Sequence, residues 1–301
     1  MIVKTDSYFH QGVTHEVCED YALHGPHYAV VADGCSNGGG PRIDTDWGAR
    51  LLCKAAEQHL MTSVVFNNSM EYAAAVCGTA QAQMHSIPNL IPESLTATLL
   101  TLGWEPGSRF AHTLLFGDGV FGGKRKDGTW EIGWVEFEKA PYYLRYRMFG
   151  TEQDYLEHFG GTYKVYGYAG ELNYDLPEEW DFESQDEFWR LEGDWDIETK
   201  TLDLEYPCER FAWNAEDYEF LFIVSDGAHS FYEKRRTGTQ KTNERVHVMD
   251  VLALLFDIVN YRPGFARNQK NWLFKQDRPN TFVRRNWHNG DDLSAGVICC
   301  E

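Results

Sequence analysis

The sequence predicts an α+β layered sandwich. Short runs rich in Val, Ile, Thr and aromatic residues indicate strands, and the segments with helical periodicity fall between blocks of these runs. The predicted order is a strand, two helices, several strands, an insertion, a strand, a helix and a last strand. Because strands and helices do not alternate regularly, separate layers are favoured over a parallel sheet with crossover helices.

The predicted strands are short and bounded by turn residues. They cover residues 28–32, 95–102, 110–116, 130–137, 220–224 and 295–299. Helical spacing of apolar residues predicts helices over 47–59, 70–84 and 248–259, the first capped by Asp44 or Thr45 and the second by Ser69.

Length and composition limit the function classes. The chain has 301 residues, 43% of them apolar, so it can bury a substantial core as one large domain or two small ones. Its formal net charge of −19 argues against nucleic-acid and anionic-membrane partners, since both need a positive surface. No run approaches the ~20 apolar residues of a membrane span.

The cysteines predict a reducing compartment. There are seven, an odd number, without the regular spacing of a disulfide framework. The start of the sequence also lacks a basic segment followed by an apolar one. We therefore expect a cytoplasmic protein.

An acidic segment interrupts the strand pattern. Residues 171–210 contain 15 Asp or Glu and 3 Lys or Arg, a net charge of −12. The segment is also rich in Trp and Phe, unlike a disordered acidic tail. We expect an ordered insertion at about 160–210 within a single domain spanning 1–301, serving either as a solvated excursion with a small core of its own or as a binding element.

Four acidic turns lie at predicted strand ends. They are Glu19-Asp20, Asp33-Gly34, Asp226-Gly227 and Asp291-Asp292. Hard divalent cations such as Mg²⁺ and Mn²⁺ prefer a few carboxylates with water in the remaining positions. A glycine after the aspartate allows a sharp turn that can offer a backbone carbonyl as a further ligand, as at Gly34. The turns predict a metal site at one edge of a sheet.

Other catalytic signatures are missing from the sequence. It has no His/Cys set with zinc spacing, no Gly-x-x-x-x-Gly-Lys phosphate loop and no Gly-x-Ser-x-Gly elbow. Zinc proteases, P-loop enzymes and serine hydrolases are therefore disfavoured.

The order of these motifs resembles the metal-dependent protein phosphatases, also called the protein phosphatase 2C-like family. The matching segments span residues ~10 to 300 and are Glu19-Asp20, Asp33-Gly34, Ser94-Leu-Thr-Ala-Thr98, Gly117-Asp118-Gly119, Ser225-Asp226-Gly227 and Asp291-Asp292-Leu-Ser294. The resemblance implies a four-layer α-β-β-α sandwich, with two antiparallel sheets flanked by helices and the metal site at one edge. It also implies hydrolysis of phosphoserine or phosphothreonine by a water that bridges two Mn²⁺ or Mg²⁺ ions.

The resemblance also implies roles for individual residues. Asp33 is similar to the bridging carboxylate and Gly34 to the carbonyl ligand. Asp226 and Asp291 resemble ligands of the first ion, and Glu19 or Asp20 would serve the second, directly or through water. Asp118 resembles the residue that helps Asp226 to hold a weaker third ion, although a turn former would have the same sequence.

Two positions depart from the eukaryotic pattern and resemble a bacterial-type subgroup. His15 stands where many members have a phosphate-binding arginine, and an imidazole could still contact a phosphate oxygen. Cys35 stands where eukaryotic members have a histidine suited to protonating the leaving group. The catalytic set expected from the resemblance is therefore Asp33, Asp226 and His15.

Three functions remain open at this point. The first is a signalling phosphatase that acts on phosphorylated proteins, as a cytoplasmic monomer without nucleic-acid or membrane partners. The second is a catalytically weak or inactive sensor or scaffold with the same fold. The third is a phosphohydrolase that acts on small phosphoesters.

Overall fold

A computed structural model describes residues 3–12, 15–35, 46–62, 69–104, 107–171, 193–237, 240–246, 248–256 and 287–300. Strands and helices are numbered in chain order. The described residues form two large antiparallel sheets, a small third sheet and five α-helices.

The larger sheet has seven strands. Their spatial order is β1 (Val3–His10), β15 (Leu293–Cys300), β11 (Tyr218–Val224), β6 (Gly119–Arg125), β7 (Trp130–Phe137), β8 (Thr162–Gly170) and β9 (Gly193–Thr201). The second sheet has five strands in the order β10 (Glu209–Asn214), β5 (Phe110–Phe116), β4 (Leu99–Trp104), β3 (Tyr28–Ala32) and β2 (Tyr21–Gly25).

The third sheet and the helices complete the described elements. The third sheet pairs β13 (Gln240–Arg245), β12 (Phe231–Thr237) and β14 (Trp287–Asn289). The helices are α1 (Asp46–Thr62), α2 (Ser69–Ser86), α3 (Leu144–Met148), α4 (Glu152–Phe159) and α5 (Val248–Phe256). None of the helices in the described part of the chain is long and apolar enough to cross a membrane.

The core lies between the two large sheets and on their outer faces. Val31 of β3 and Ile223 of β11 belong to the cluster between the sheets, whereas their neighbours in sequence point outward because side chains alternate along a strand. Helices α1 and α2 cover the outer face of the five-stranded sheet, and α5 covers the outer face of the seven-stranded sheet. This layering agrees with the expected α-β-β-α sandwich.

Most of the predicted elements are confirmed. Strands 28–32, 110–116 and 130–137 have the predicted bounds, and the runs 220–224 and 295–299 lie within β11 and β15. The three predicted helices correspond to α1, α2 and α5. The proposed caps Asp44 and Thr45 and the predicted end of α5 at 257–259 lie outside the described residues.

The predicted strand 95–102 is wrong in its first half. Residues Pro92–Leu95 form a 3-10 turn, and β4 begins only at Leu99. Local polar contacts favour the turn, because the Thr96 hydroxyl donates to the Glu93 carbonyl at 2.7 Å. The backbone from Thr96 to Thr98 instead lies beside Asp33, which becomes important at the site.

Only the edges of the predicted insertion are described. Strands β8 and β9 pair along their whole length, from Thr162 with Thr201 to Gly170 with Gly193. Residues 172–192, which hold most of the acidic and aromatic side chains of the segment, lie outside the described residues. The role of the insertion stays a prediction.

Candidate metal centre

Asp33 sits where β3 leaves the regular sheet. Its carbonyl accepts from the Thr98 amide at 2.9 Å, and its amide donates to the Thr98 hydroxyl at 3.3 Å. Gly34 then forms an isolated bridge to Ala97. These contacts fix the backbone of the predicted bridging residue and of the predicted carbonyl ligand against the segment before β4.

Asp20 reaches the same place from the start of β2. Its side chain is buried, and one oxygen accepts a hydrogen bond from the Ser294 hydroxyl at 2.8 Å. The other oxygen, Oδ1, is buried without a hydrogen-bond partner in the described structure. The Asp20 carboxyl also lies close to that of Asp33.

Asp226 completes the central group from the end of β11, where it begins a 3-10 turn over Asp226–Ser230. Its Oδ1 is also buried without a partner in the described structure, and its carboxyl contacts that of Asp33. The next residue must be glycine, because a Cβ on Gly227 would lie 1.7 Å from the Asp292 carbonyl oxygen. Asp33 thus lies close to both Asp20 and Asp226.

Burial and mutual repulsion raise the pKa values of this group. Burial, and then the nearby charge of Asp226, raise the pKa of Asp20 to about 7, against hydrogen bonds from Ser294 and Ser225 that lower it. Burial and the charges of Asp20 and Asp226 hold the pKa of Asp33 well above its ordinary value. Such a group needs either shared protons or cations to be stable.

Asp118 lies in the turn between β5 and β6. Gly117 and Gly119 flank it with φ angles of +100° and +145°, which favour glycine. Burial and the charge of Asp226 raise the pKa of Asp118 well above its ordinary value. The structure therefore brings Asp118 close to Asp226, as the sequence predicts.

His15 lies against the Asp291-Asp292 turn. Its Nε2 is 3.3 Å from Oδ1 of Asp291, and its Nδ1 is 3.1 Å from Oδ2 of Asp292. Burial lowers the pKa of His15, but Asp292, Asp291 and Glu19 together raise it above its ordinary value. Both ring nitrogens face carboxylates, so His15 would have to turn to contact a phosphate oxygen.

Asp292 holds this part of the site together, although the sequence indicated no role for it. It is buried, and it accepts from the Gly12 amide at 2.6 Å and from the Glu19 amide at 2.5 Å. The sequence did contain a signal for it. Asp291 and Asp292 directly precede an apolar strand, and neighbouring side chains there point to opposite sides, so one of the two should point inward. Asp292 thus fixes the backbone of Glu19 and lies beside the ring of His15.

Cys35 and Tyr143 lie close to each other and to the site acids. Burial raises the pKa of the Cys35 thiol, while a hydrogen bond with Tyr143 lowers it, and Glu19 and Asp118 are among the nearby charges. A neutral thiol among carboxylates is a poor acid or nucleophile. Sequence reasoning did not find Tyr143, because nothing in the run before α3 marks it as part of a site.

The residues fit hard cations. Within the described ranges, no three His, Cys, Asp or Glu side chains already converge at coordination distances. Yet the donors are all oxygens, Asp20 and Asp226 each have a buried oxygen without a hydrogen-bond partner among the described atoms, and like charges crowd Asp33. Mg²⁺ and Mn²⁺ use such oxygen ligands and would remove the repulsion.

A cavity of about 670 Å³ opens beside the carboxylates. Its described lining is made of site acids, aromatic and apolar side chains and one arginine: Asp118, Trp134, Val135, Glu136, Phe137, Tyr166, Asp226, His229, Arg245, Val246 and Val248. The cavity is larger than a phosphate group, so it can hold further parts of a substrate.

Solved structures share the fold. The serine/threonine phosphatase Stp1 from Staphylococcus aureus matches with 9% identity over 100% of this chain and 96% of that chain, at a TM-score of 0.51. A bacterial serine phosphatase that carries a point mutation matches with 10% identity over 99% of this chain and 97% of that chain, at a TM-score of 0.52. No protein-family model and no curated protein sequence matches the chain. The chain has the fold of bacterial serine/threonine phosphatases, which confirms the resemblance at the level of the fold.

Proposed function

We propose that this protein is a Mn²⁺- or Mg²⁺-dependent phosphatase that hydrolyses phosphoserine or phosphothreonine in proteins. The observation that carries the proposal is the buried carboxyl group of Asp33 close to those of Asp20 and Asp226, the last of which also lines a cavity. The shared fold supports it independently. The cytoplasmic location and the monomeric state expected from the sequence remain part of the proposal.

The acidic residues would hold the cations in different combinations. Asp33, central in the group, would be shared between two cations, with Gly34 offering its carbonyl. Asp226 and Asp291 would hold the first cation, Asp20 and Glu19 the second, and Asp118 with Asp226 a weaker third. When bound, the cations would supply charge against the phosphoryl oxygens and lower the pKa of a water molecule.

Ser294, Thr98 and Asp292 would position these ligands. Ser294 fixes one oxygen of Asp20 and leaves the other free to bind a cation. Thr98 fixes the backbone of Asp33 from both sides. No protein nucleophile is required, which agrees with the raised pKa of Cys35.

The proposal is tested by turnover of p-nitrophenyl phosphate and of a phosphoserine peptide, with Mn²⁺ or Mg²⁺ and with EDTA. We expect hydrolysis of both substrates only when the metal is present. Hydrolysis that persists in EDTA, or no hydrolysis with either metal, would overturn it. A peptide that is inert beside active p-nitrophenyl phosphate would indicate the small-phosphoester alternative.

A non-catalytic sensor or scaffold is the second candidate, and the position of His15 favours it. With both ring nitrogens at carboxylates, the described site holds no cation directed at a phosphate oxygen near Asp291. Calorimetric titration with Mn²⁺ separates the two functions together with the turnover assay. Two tightly bound ions with turnover would exclude the scaffold, whereas bound ions without turnover would favour it.

Metal binding is expected to stabilise the fold. A ligand that binds only the folded state at a hundred times its Kd adds about 2.7 kcal/mol to the free energy of unfolding. We therefore expect Mn²⁺ to raise the Tm by several degrees and EDTA to reverse the change. An unchanged Tm in thermal unfolding with saturating Mn²⁺ or Mg²⁺ would contradict metal binding.

A further inference from the structure

We infer that the cavity beside Asp118 and Asp226 is a specificity subsite for an aromatic side chain that flanks the phosphorylated residue of a protein substrate. The inference rests on the proposed function, because it places the phosphoryl group at the carboxylates. It adds a substrate feature and the residues that would recognise it.

The cavity adjoins acidic residues of the proposed metal centre. Asp118 and Asp226 belong to its lining, so a phosphoryl group held by these carboxylates and their cations would lie against the cavity. The whole cavity measures about 670 Å³, which is more than a single phosphoserine side chain fills. A neighbouring residue of the substrate is the part that can fill it.

Aromatic and apolar side chains form part of the cavity lining. Trp134 and Tyr166 face each other on β7 and β8, and their rings stack with centroids 4.6 Å apart and planes 9° from parallel. His229 meets Trp134 edge-on at 6.0 Å. With Val246 and Val248 also in the lining, the wall offers flat and apolar surface, which favours an aromatic occupant.

The cavity lining also contains a guanidinium group. Among the described lining residues, Arg245 alone has a permanent positive charge. Its Nε donates to the His229 carbonyl at 3.1 Å, which orients the guanidinium, and its side chain is exposed. In a chain with a net charge of −19, a guanidinium beside the acidic centre complements an anionic phosphopeptide.

The subsite comes from parts of the chain that the motifs do not include. Arg245 and Val246 end the β12–β13 hairpin that follows the Asp226 turn, and Val248 begins α5. Tyr166 lies on β8, at the edge of the acidic segment. Selectivity can therefore be changed without altering any predicted metal ligand.

The test measures binding separately from turnover. The ligands are peptides that carry a non-hydrolysable phosphonate analogue of phosphoserine, with Phe at one of the two positions on either side or with alanine at all four. Their affinities are measured by fluorescence anisotropy with Mn²⁺ present. We expect at least one Phe peptide to bind about tenfold more tightly than the alanine peptide, the contribution of one buried aromatic contact.

The variants locate the effect. In Tyr166→Ala the ratio of the two affinities should fall to within about twofold of one, and Tyr166→Phe should keep it because the ring remains. Tyr206→Ala is the matched control, since Tyr206 is an exposed tyrosine outside the cavity lining. Arg245→Gln should weaken all peptides about equally and leave the ratio unchanged.

A further variant at Tyr166 distinguishes loss of the subsite from loss of folded structure. Tyr166→Leu keeps an apolar contact on Trp134 but removes the flat ring, so the ratio should fall in this variant also, with a Tm close to that of the parent. A ratio near one in the parent, or a ratio that survives in both Tyr166→Ala and Tyr166→Leu, would overturn the inference. A ratio that behaves as expected without turnover of matching phosphopeptides would overturn the proposed catalysis and support the subsite.

Discussion

Asp33→Asn is expected to abolish metal-dependent hydrolysis and to leave the fold intact. The substitution removes the carboxylate that lies close to both Asp20 and Asp226, and with it the proposed shared ligand of two cations. Because the cations would stabilise the charge on the phosphoryl oxygens in the transition state, we expect turnover to fall on the order of 10³-fold or more. Steady-state hydrolysis of p-nitrophenyl phosphate with saturating Mn²⁺ measures it.

Without metal, Asp33→Asn should not lower the free energy of unfolding. The pKa of Asp33 is well above its ordinary value because burial and two neighbouring charges disfavour its ionised form. Asparagine is neutral and nearly the same size, so the variant in EDTA should be at least as stable as the parent in EDTA. The stabilisation by Mn²⁺ should disappear. Thermal unfolding with and without Mn²⁺ gives both results.

Asp196→Asn is the matched control, since Asp196 is an exposed aspartate on β9. It should retain the activity and the Mn²⁺ dependence of the parent. If Asp33→Asn kept more than about a tenth of the parent's turnover, Asp33 would not be the shared ligand, because loss of that ligand should cost far more. A Mn²⁺-dependent Tm shift that survives in Asp33→Asn would lead to the same conclusion.

The sequence predicts where Asp33 and Asp226 lie in the fold, because each position depends on a neighbouring strand. Asp33 directly follows the apolar run 28–32, and Asp226 follows the apolar run 220–224 after one serine. Such a run fixes the strand and therefore the edge at which the carboxylate lies. The glycine after Asp226 also has an identifiable cause, the contact with Asp292. Strong alternation or strong apolarity makes such elements predictable from the chain alone.

The rest of the site depends on pairing between distant segments. Tyr166 becomes part of a cavity only because β8 pairs with β7 and sets it opposite Trp134. Strand β6 contains two adjacent glycines, Gly122 and Gly123, which weaken a strand pattern, yet it pairs with both β7 and β11. Neither fact can be deduced from periodicity, because the partner strand supplies the contacts.

Asp292 is a second case, because its partners lie more than 270 residues earlier in the chain. The amides of Gly12 and Glu19 both donate to its buried carboxylate, and the ring of His15 lies beside it. Its neighbour Asp291 is half-exposed and lies near Asp226. One aspartate of the pair is therefore structural, and the other remains available to a metal ion.

Asp292→Ala is accordingly expected to destabilise the protein by about 3–5 kcal/mol, because it leaves two amides without their acceptor and removes the buried charge paired with His15. Asp291→Ala should cost no more than about 1 kcal/mol, since a half-exposed ion pair contributes little. Urea unfolding of both variants in EDTA excludes any contribution from bound metal. Asp291→Ala should instead weaken Mn²⁺ binding. Equal destabilisation by the two variants, or the reverse order, would show that the buried aspartate does not hold the His15 segment against β15.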